Sequence, residues 1–183
     1  EFNRQDLDAL GFTRTAVLPV VPGFAHLDRP ANPFVANQFD DDWTNILFVG
    51  RVIANKKIED VIRAFHIYHT VFNPRSRLLI VGVFSLFERY LASLQHLVHT
   101  LELTHVHFTG HVTDEELVAY YDIADLFLCA SEHEGFCVPI VEAFYMGVPV
   151  LAYAATAVPA TMDGGGMLFA DKDPREVAAL MEA

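Results

Sequence analysis

Three stretches, Ile46-Leu47-Phe48-Val49-Gly50, Leu78-Leu79-Ile80-Val81-Gly82 and Asp125-Leu126-Phe127-Leu128-Cys129-Ala130, carry apolar runs of strand length that no polar residue interrupts. A strand with one face in water alternates apolar and polar residues. Strands that do not alternate must be covered on both faces, which is the situation of a parallel sheet between helical layers. The intervening segments have the matching helical period. Ile58, Val61, Ile62, Phe65 and Phe72 recur on one face until Asn73-Pro74 ends the pattern, and Leu86, Tyr90, Leu91, Leu94, Leu97, Val98 and Leu101 do the same further on. A strand is expected at 106–109. Thr113 followed by Glu116 is a capping-box signal for a helix running to about Ala124. A fifth strand at Val148–Ala152, a sixth at Met167-Leu168-Phe169 after the Gly164-Gly165-Gly166 turn, and a last helix from Pro174 complete the order. Strict strand–helix alternation gives right-handed crossovers, hence an α/β fold: a doubly wound, mostly parallel, Rossmann-like sheet of about six strands.

In such sheets ligands bind outside the carboxyl ends of the strands. Three polar loops are expected there: Gly50–Lys57, His111–Thr113 and Ser131–Val138. The last opens the richest stretch of the chain, 131–150. Pro139 suits a first helical position and Gly147 the left-handed position past a helix end. The short helix between them receives the loop 134–138, whose backbone N–H groups and helix dipole favour an anion. Glu134 in the loop and Glu142 about one turn into the helix are spaced to hold two ends of an extended, hydroxyl-rich ligand.

Charge supports this placement. The net charge of −12 argues against nucleic acid or an anionic membrane as partner. Yet Arg51, Lys56 and Lys57 gather cations after the first strand, facing an anion site from the other side. Gly50 is followed by Arg51 and no further glycine, so the dinucleotide fingerprint is missing, and no P-loop is present. A nucleotide-sugar fits better than NAD or FAD.

Other features are read more plainly. Residues 1–45 are irregular: 17–23 reads as a short edge strand, followed by a linker-like loop rich in Pro, Asn and Asp. Residues 143–162 lack charge, but Gly147, Pro149 and Pro159 would break a membrane helix, so no transmembrane segment is expected. No signal peptide pattern opens the chain. Two cysteines, Cys129 and Cys137, form no disulfide framework and suggest a reducing compartment, by default the cytoplasm. Cys129 reads as core. Cys137 reads either as a residue positioning its backbone or as a reactive thiol lowered by the helix terminus. His105, His107 and His111 have no carboxylate or thiolate at ligand spacing, so no metal is expected; His66, His69, His96 and His99 are expected on helix surfaces.

At these residues the sequence resembles the donor-binding, C-terminal half of the group 1 retaining glycosyltransferases of GT-B fold. The resemblance rests on Val49-Gly50-Arg51 with Lys56, on Phe108-Thr109-Gly110-His111-Val112, and on Ala124-Asp125-Leu126-Phe127. It rests above all on Glu134-Gly135-Phe136 running through Pro139 to Glu142-Ala143, with Gly147-Val148-Pro149-Val150 behind, and it spans 44–170 in order and spacing. It implies Arg51 and Lys56 on the donor diphosphate, Glu134 on the sugar, Gly50 and the backbone of Gly135, Phe136, Cys137 and Val138 beside sugar or phosphate, Glu142 on the ribose and Val112 near the base. The catalytic set would be Arg51, Lys56 and Glu134, with no cofactor and no metal. It also implies a division into 1–43, the end of an N-terminal domain with its linker, and 44–183, the donor domain. The partner of the donor domain, the acceptor-binding N-terminal domain, is absent here, so this chain would bind donor without transferring sugar. The sequence departs from the family at Lys57 and Cys137, where glycine is usual or common, and at Ala160, where glutamate is frequent. A non-catalytic binding or assembly module of the same fold, and a nucleotide-sugar epimerase, are the alternatives.

Overall fold

The apolar runs lie side by side in one sheet. In the computed structural model, which describes every residue except Glu1, Pro19, Asp40 and Leu86, the strands are β1 (Thr44–Val49), β2 (Ser76–Val81), β3 (Val106–Gly110), β4 (Leu126–Cys129), β5 (Val150–Tyr153) and β6 (Met167–Phe169). All neighbours are parallel, in the order β3-β2-β1-β4-β5-β6. The order reverses between β1 and β4, which makes the loops after these two strands the topological switch point.

Eight α-helices are described: α1 (Phe2–Ala9), α2 (Pro33–Gln38), α3 (Ile58–Ile67), α4 (Glu88–Thr100), α5 (Asp114–Asp122), α6 (Val138–Tyr145), α7 (Val158–Met162) and α8 (Pro174–Glu182). Successive strand residues serve opposite layers. Ile46 and Phe48 pack with Val61, Ile62 and Phe65 of α3, Leu94 of α4 and Val177 of α8. Leu47 packs with Val118 and Tyr121 of α5, Ile140 of α6 and Val158 of α7. The uninterrupted apolar runs are thus used on both sides, each buried side chain contributing roughly 1.5–3 kcal/mol before entropy is charged against it. The capping box forms as expected: the Thr113 hydroxyl accepts the Glu116 N–H at 3.3 Å, and the Glu116 carboxylate accepts the Thr113 N–H at 2.8 Å.

Four expectations are corrected. The described residues of 17–23 form no strand, Pro19 lying outside them: Val17, Leu18 and Val20 line a groove with Gly135, Phe136, Ala160 and Thr161 instead of pairing with an edge strand. Part of the irregular leader is helical: Asn32 caps α2 through the Phe34 N–H at 2.9 Å, with Pro33 in its first turn. The third helix does not stay α-helical to Phe72 but closes in a wider π turn over Tyr68–Phe72. His66 and His69 are half-buried rather than on the surface, while His96 and His99 are exposed. His69 bonds the Ser76 hydroxyl at 3.1 Å, and burial together with the nearby His105 holds its imidazole below the usual pKa. Leu86, expected on a helical face, lies outside the described residues.

The leader is docked rather than free. Leu27 and Phe39 are buried in the second core layer. Arg77, itself buried, lies 5.1 Å from the Phe39 ring and 5.2 Å from the Trp43 ring and donates to Asp41. This clamp is at the amino ends of the strands, where His105 meets Trp43 and His107 meets Phe39. His111 follows β3 at the opposite end, so the three histidines do not assemble. No helix among the described residues is long and apolar enough to cross a membrane.

Candidate functional site

The site is built where β1 and β4 end side by side. After β1 the chain passes Gly50, makes a tight turn at Ala54–Lys56 and enters α3 through Lys57, whose backbone is left-handed at φ 51°. After β4 it passes Ser131, Glu134 and Cys137 and enters α6. Three contacts tie the loops: the Glu132 N–H donates to the Asn55 carbonyl at 2.9 Å, Asn55 Nδ2 donates to the His133 carbonyl at 3.2 Å, and Lys56 Nζ donates to a Glu134 carboxylate oxygen. Lys56 and Glu134 are both largely buried, with side-chain exposures of 15% and 9%. Outside them Lys57 and Lys172 reach Glu132 at 3.4 and 3.5 Å, in more exposed pairs worth little individually.

The loop after β4 is also held from the β5 side. The Glu134 N–H donates to Thr156 Oγ1 at 2.9 Å while the Thr156 hydroxyl donates to the Glu134 carbonyl at 3.0 Å, and the Thr161 hydroxyl donates to the Phe136 carbonyl. Cys137 has φ 66° and ψ 67°, and α6 starts at Val138, so Pro139 is the second helical residue rather than the first. Gly147 takes the left-handed position expected of it, at φ 76°. The two departures from family glycines, Lys57 and Cys137, are therefore both left-handed residues, which explains the glycine preference at those positions. Lys57→Gly is expected to change unfolding free energy by less than about 1 kcal/mol, strain relief offsetting the entropy of glycine, whereas Lys57→Val costs about 2 kcal/mol. Urea unfolding of the two variants checks this.

Glu142 is buried on α6 with both oxygens engaged: His26 Nε2 lies 2.9 Å from Oε1 and the Tyr121 hydroxyl donates to Oε2 at 3.0 Å. Burial and the adjacent carboxylate push the Tyr121 pKa far up, so the phenol remains a donor. Arg51 is exposed, its guanidinium 5.5 Å from the Phe87 ring, and Val112 is half-buried against the second core layer. An open groove of about 560 Å³ runs along Gly135, Phe136, Ala160 and Thr161 and is closed on its far side by Val17, Leu18 and Val20. Of the residues expected to act together, Lys56 and Glu134 meet directly; Arg51 and Glu142 lie on separate elements with other partners, Phe87 for the first and His26 and Tyr121 for the second. Thr156, Thr161, His26 and Tyr121 were not legible in the sequence, because each acts through a partner remote in the chain: the loop after β4 for the two threonines, and Glu142 of α6 for His26 of the leader and Tyr121 of α5.

Cys129 is buried in the core, as expected, whereas Cys137 does not fit the reading of a reactive, lowered thiol. Cys137 is buried, and sharing a hydrogen bond with Cys129 pushes its pKa up, with burial adding to the effect. The same hydrogen bond holds Cys129 down, to about 7, against its burial. The helix terminus does not lower the Cys137 thiol, which Cys129 and the buried surroundings push up.

Residues 29–183 match the family described as glycosyl transferases group 1. The chain belongs to that family. As a group 1 glycosyltransferase chain it is 27% identical over 139 residues to a serotype-specific mannosyltransferase of Escherichia coli, covering 75% of this chain and 17% of that protein. Its fold matches sucrose-phosphate synthase of Thermosynechococcus elongatus with a TM-score of 0.81 and 23% identity, over 99% of this chain and 46% of that one. It also matches Anabaena HepE, solved with UDP and glucose, with a TM-score of 0.72 and 21% identity, over 84% of this chain and 43% of that one. The chain spans less than half the length of each of these proteins.

Proposed function

We propose that this chain is the nucleotide-sugar-binding half of a retaining glycosyltransferase, and that by itself it binds donor without transferring sugar. The observation that carries the proposal is the convergence, at the switch point, of the Lys56 ammonium and the amino end of α6 on the loop that holds Glu134. A diphosphate there meets fixed positive charge from one side and backbone N–H donors from the other, with no reorganisation needed as charge develops on the departing diphosphate. Phosphate oxygens compete for Lys56, which frees the Glu134 carboxylate to accept hydroxyls of the sugar. Glu142 takes the ribose: its oxygens keep lone pairs beyond those used by His26 and Tyr121. Val112 borders the base, and Gly50, Gly135, Phe136, Cys137 and Val138 offer backbone along the sugar diphosphate. The mannosyltransferase relative and the UDP-containing neighbour support a nucleotide-sugar as the ligand class.

Calorimetric titration with UDP-, GDP- and ADP-sugars tests the reading; no binding of any at millimolar concentration overturns it. Arg51→Ala is expected to weaken nucleoside diphosphate binding about tenfold through loss of one charge-assisted contact. Because Arg51 is exposed, the unfolding midpoint of that variant is expected to stay where it is.

A further inference from the structure

Cys129, Cys137 and Glu134 stand together behind the Lys56 pair, each buried, with one ligand atom of each lying within 4.8 Å of the other two. Three atoms so close leave a point no more than about 2.8 Å from all of them, within roughly half an ångström of a thiolate–zinc bond and within an ångström of a carboxylate–zinc bond. Charge closes as well. Two thiolates and a carboxylate beside the Lys56 ammonium carry two net negative charges, which a divalent ion neutralises. The cysteine side chain at 137 is also kept in a left-handed backbone conformation that favours glycine.

We propose that Cys129, Cys137 and Glu134 form a binding site for a thiophilic divalent cation of the zinc class. The ion forms bonds to both sulfurs and to one carboxylate oxygen, and the thiol protons leave to solvent. Binding draws Glu134 away from Lys56, so the occupied site opposes use of Glu134 by a sugar. That consequence alone rests on the donor reading above.

The reduced chain is titrated with Cd²⁺, followed by thiolate-to-cadmium charge-transfer absorption, and with Zn²⁺ in competition with a chromophoric chelator. One equivalent of each is expected, with the absorption band present. Cys137→Gly suits the backbone there and is expected to keep the fold by circular dichroism, to lose the band and to weaken Zn²⁺ binding about 100-fold. Glu134→Gln is expected to keep the band and weaken Zn²⁺ about tenfold. Absence of the band in the unmodified chain overturns the proposal, as does Zn²⁺ affinity that survives in Cys137→Gly and falls instead in a His105→Asn, His107→Asn variant. These readings need no donor, so failure of sugar-nucleotide binding leaves them intact.

Discussion

Exchanging Lys56 for methionine is expected to lower the unfolding free energy by about 2–4 kcal/mol and nucleoside diphosphate affinity by about 10–100-fold. The stability loss comes from Glu134. Its side chain is 9% exposed, and without the ammonium it is a buried carboxylate with its charge uncompensated. The binding loss has a different origin, since Lys56 is the cation proposed to face the phosphates. The two effects separate in the double variant. Adding Glu134→Gln to Lys56→Met removes the stranded charge and is expected to recover most of the stability, measured as the urea midpoint, while diphosphate binding by calorimetry stays weak. A single variant that unfolds like the unmodified chain refutes the energetic weight given to the pair. One that binds diphosphate normally refutes the role of Lys56.

Gly82→Ala is expected to destabilise by about 3 kcal/mol or more, for a purely backbone reason. A Cβ at 82 falls 1.9 Å from the Gly50 carbonyl oxygen and 2.7 Å from its carbon, and the residue has φ 148°. Both obstacles are main chain, so no rotamer relieves them; β1 and β2 must part at their carboxyl ends. Gly50 opens the loop that carries Arg51 and Lys56, so ligand affinity is expected to fall together with stability. Gly147→Ala is the control: its φ is 76°, but a Cβ there meets nothing within 4 Å. That variant is expected to lose only about 1–2 kcal/mol, the cost of left-handed backbone alone. Equal urea midpoints for the two variants would mean that β1 and β2 separate freely, contrary to their tight approach.

The fold was readable because burial on both faces leaves a mark that needs no partner to interpret: Ile46–Val49 and Leu78–Val81 are apolar at every position, so a parallel, covered sheet follows. Strand ends moved by a residue or two, as with Val148–Ala152 against the observed Val150–Tyr153, since pairing and not composition sets where a ladder stops. The helix signals at Thr113, Pro174 and Gly147 are local hydrogen-bond and φ preferences and appeared where expected. The leader was read poorly because Leu27, Phe39 and the Arg77 clamp are contacts over long sequence separations.

The same division runs through the site. Sequence alone determined that cations follow the first strand, that a helix start with carboxylates follows the fourth, and that both loops lie at the carboxyl ends of one sheet, because alternation of elements fixes which end each loop occupies. Only the tertiary structure decided that β1 and β4 are neighbours. Through that adjacency Lys56 meets Glu134. The fold likewise lets Thr156 fasten the loop from β5, engages Glu142 with His26 and Tyr121, and places the two cysteines beside the same carboxylate. Strand order depends on how both helical layers pack at once, a cooperative property that no single segment encodes.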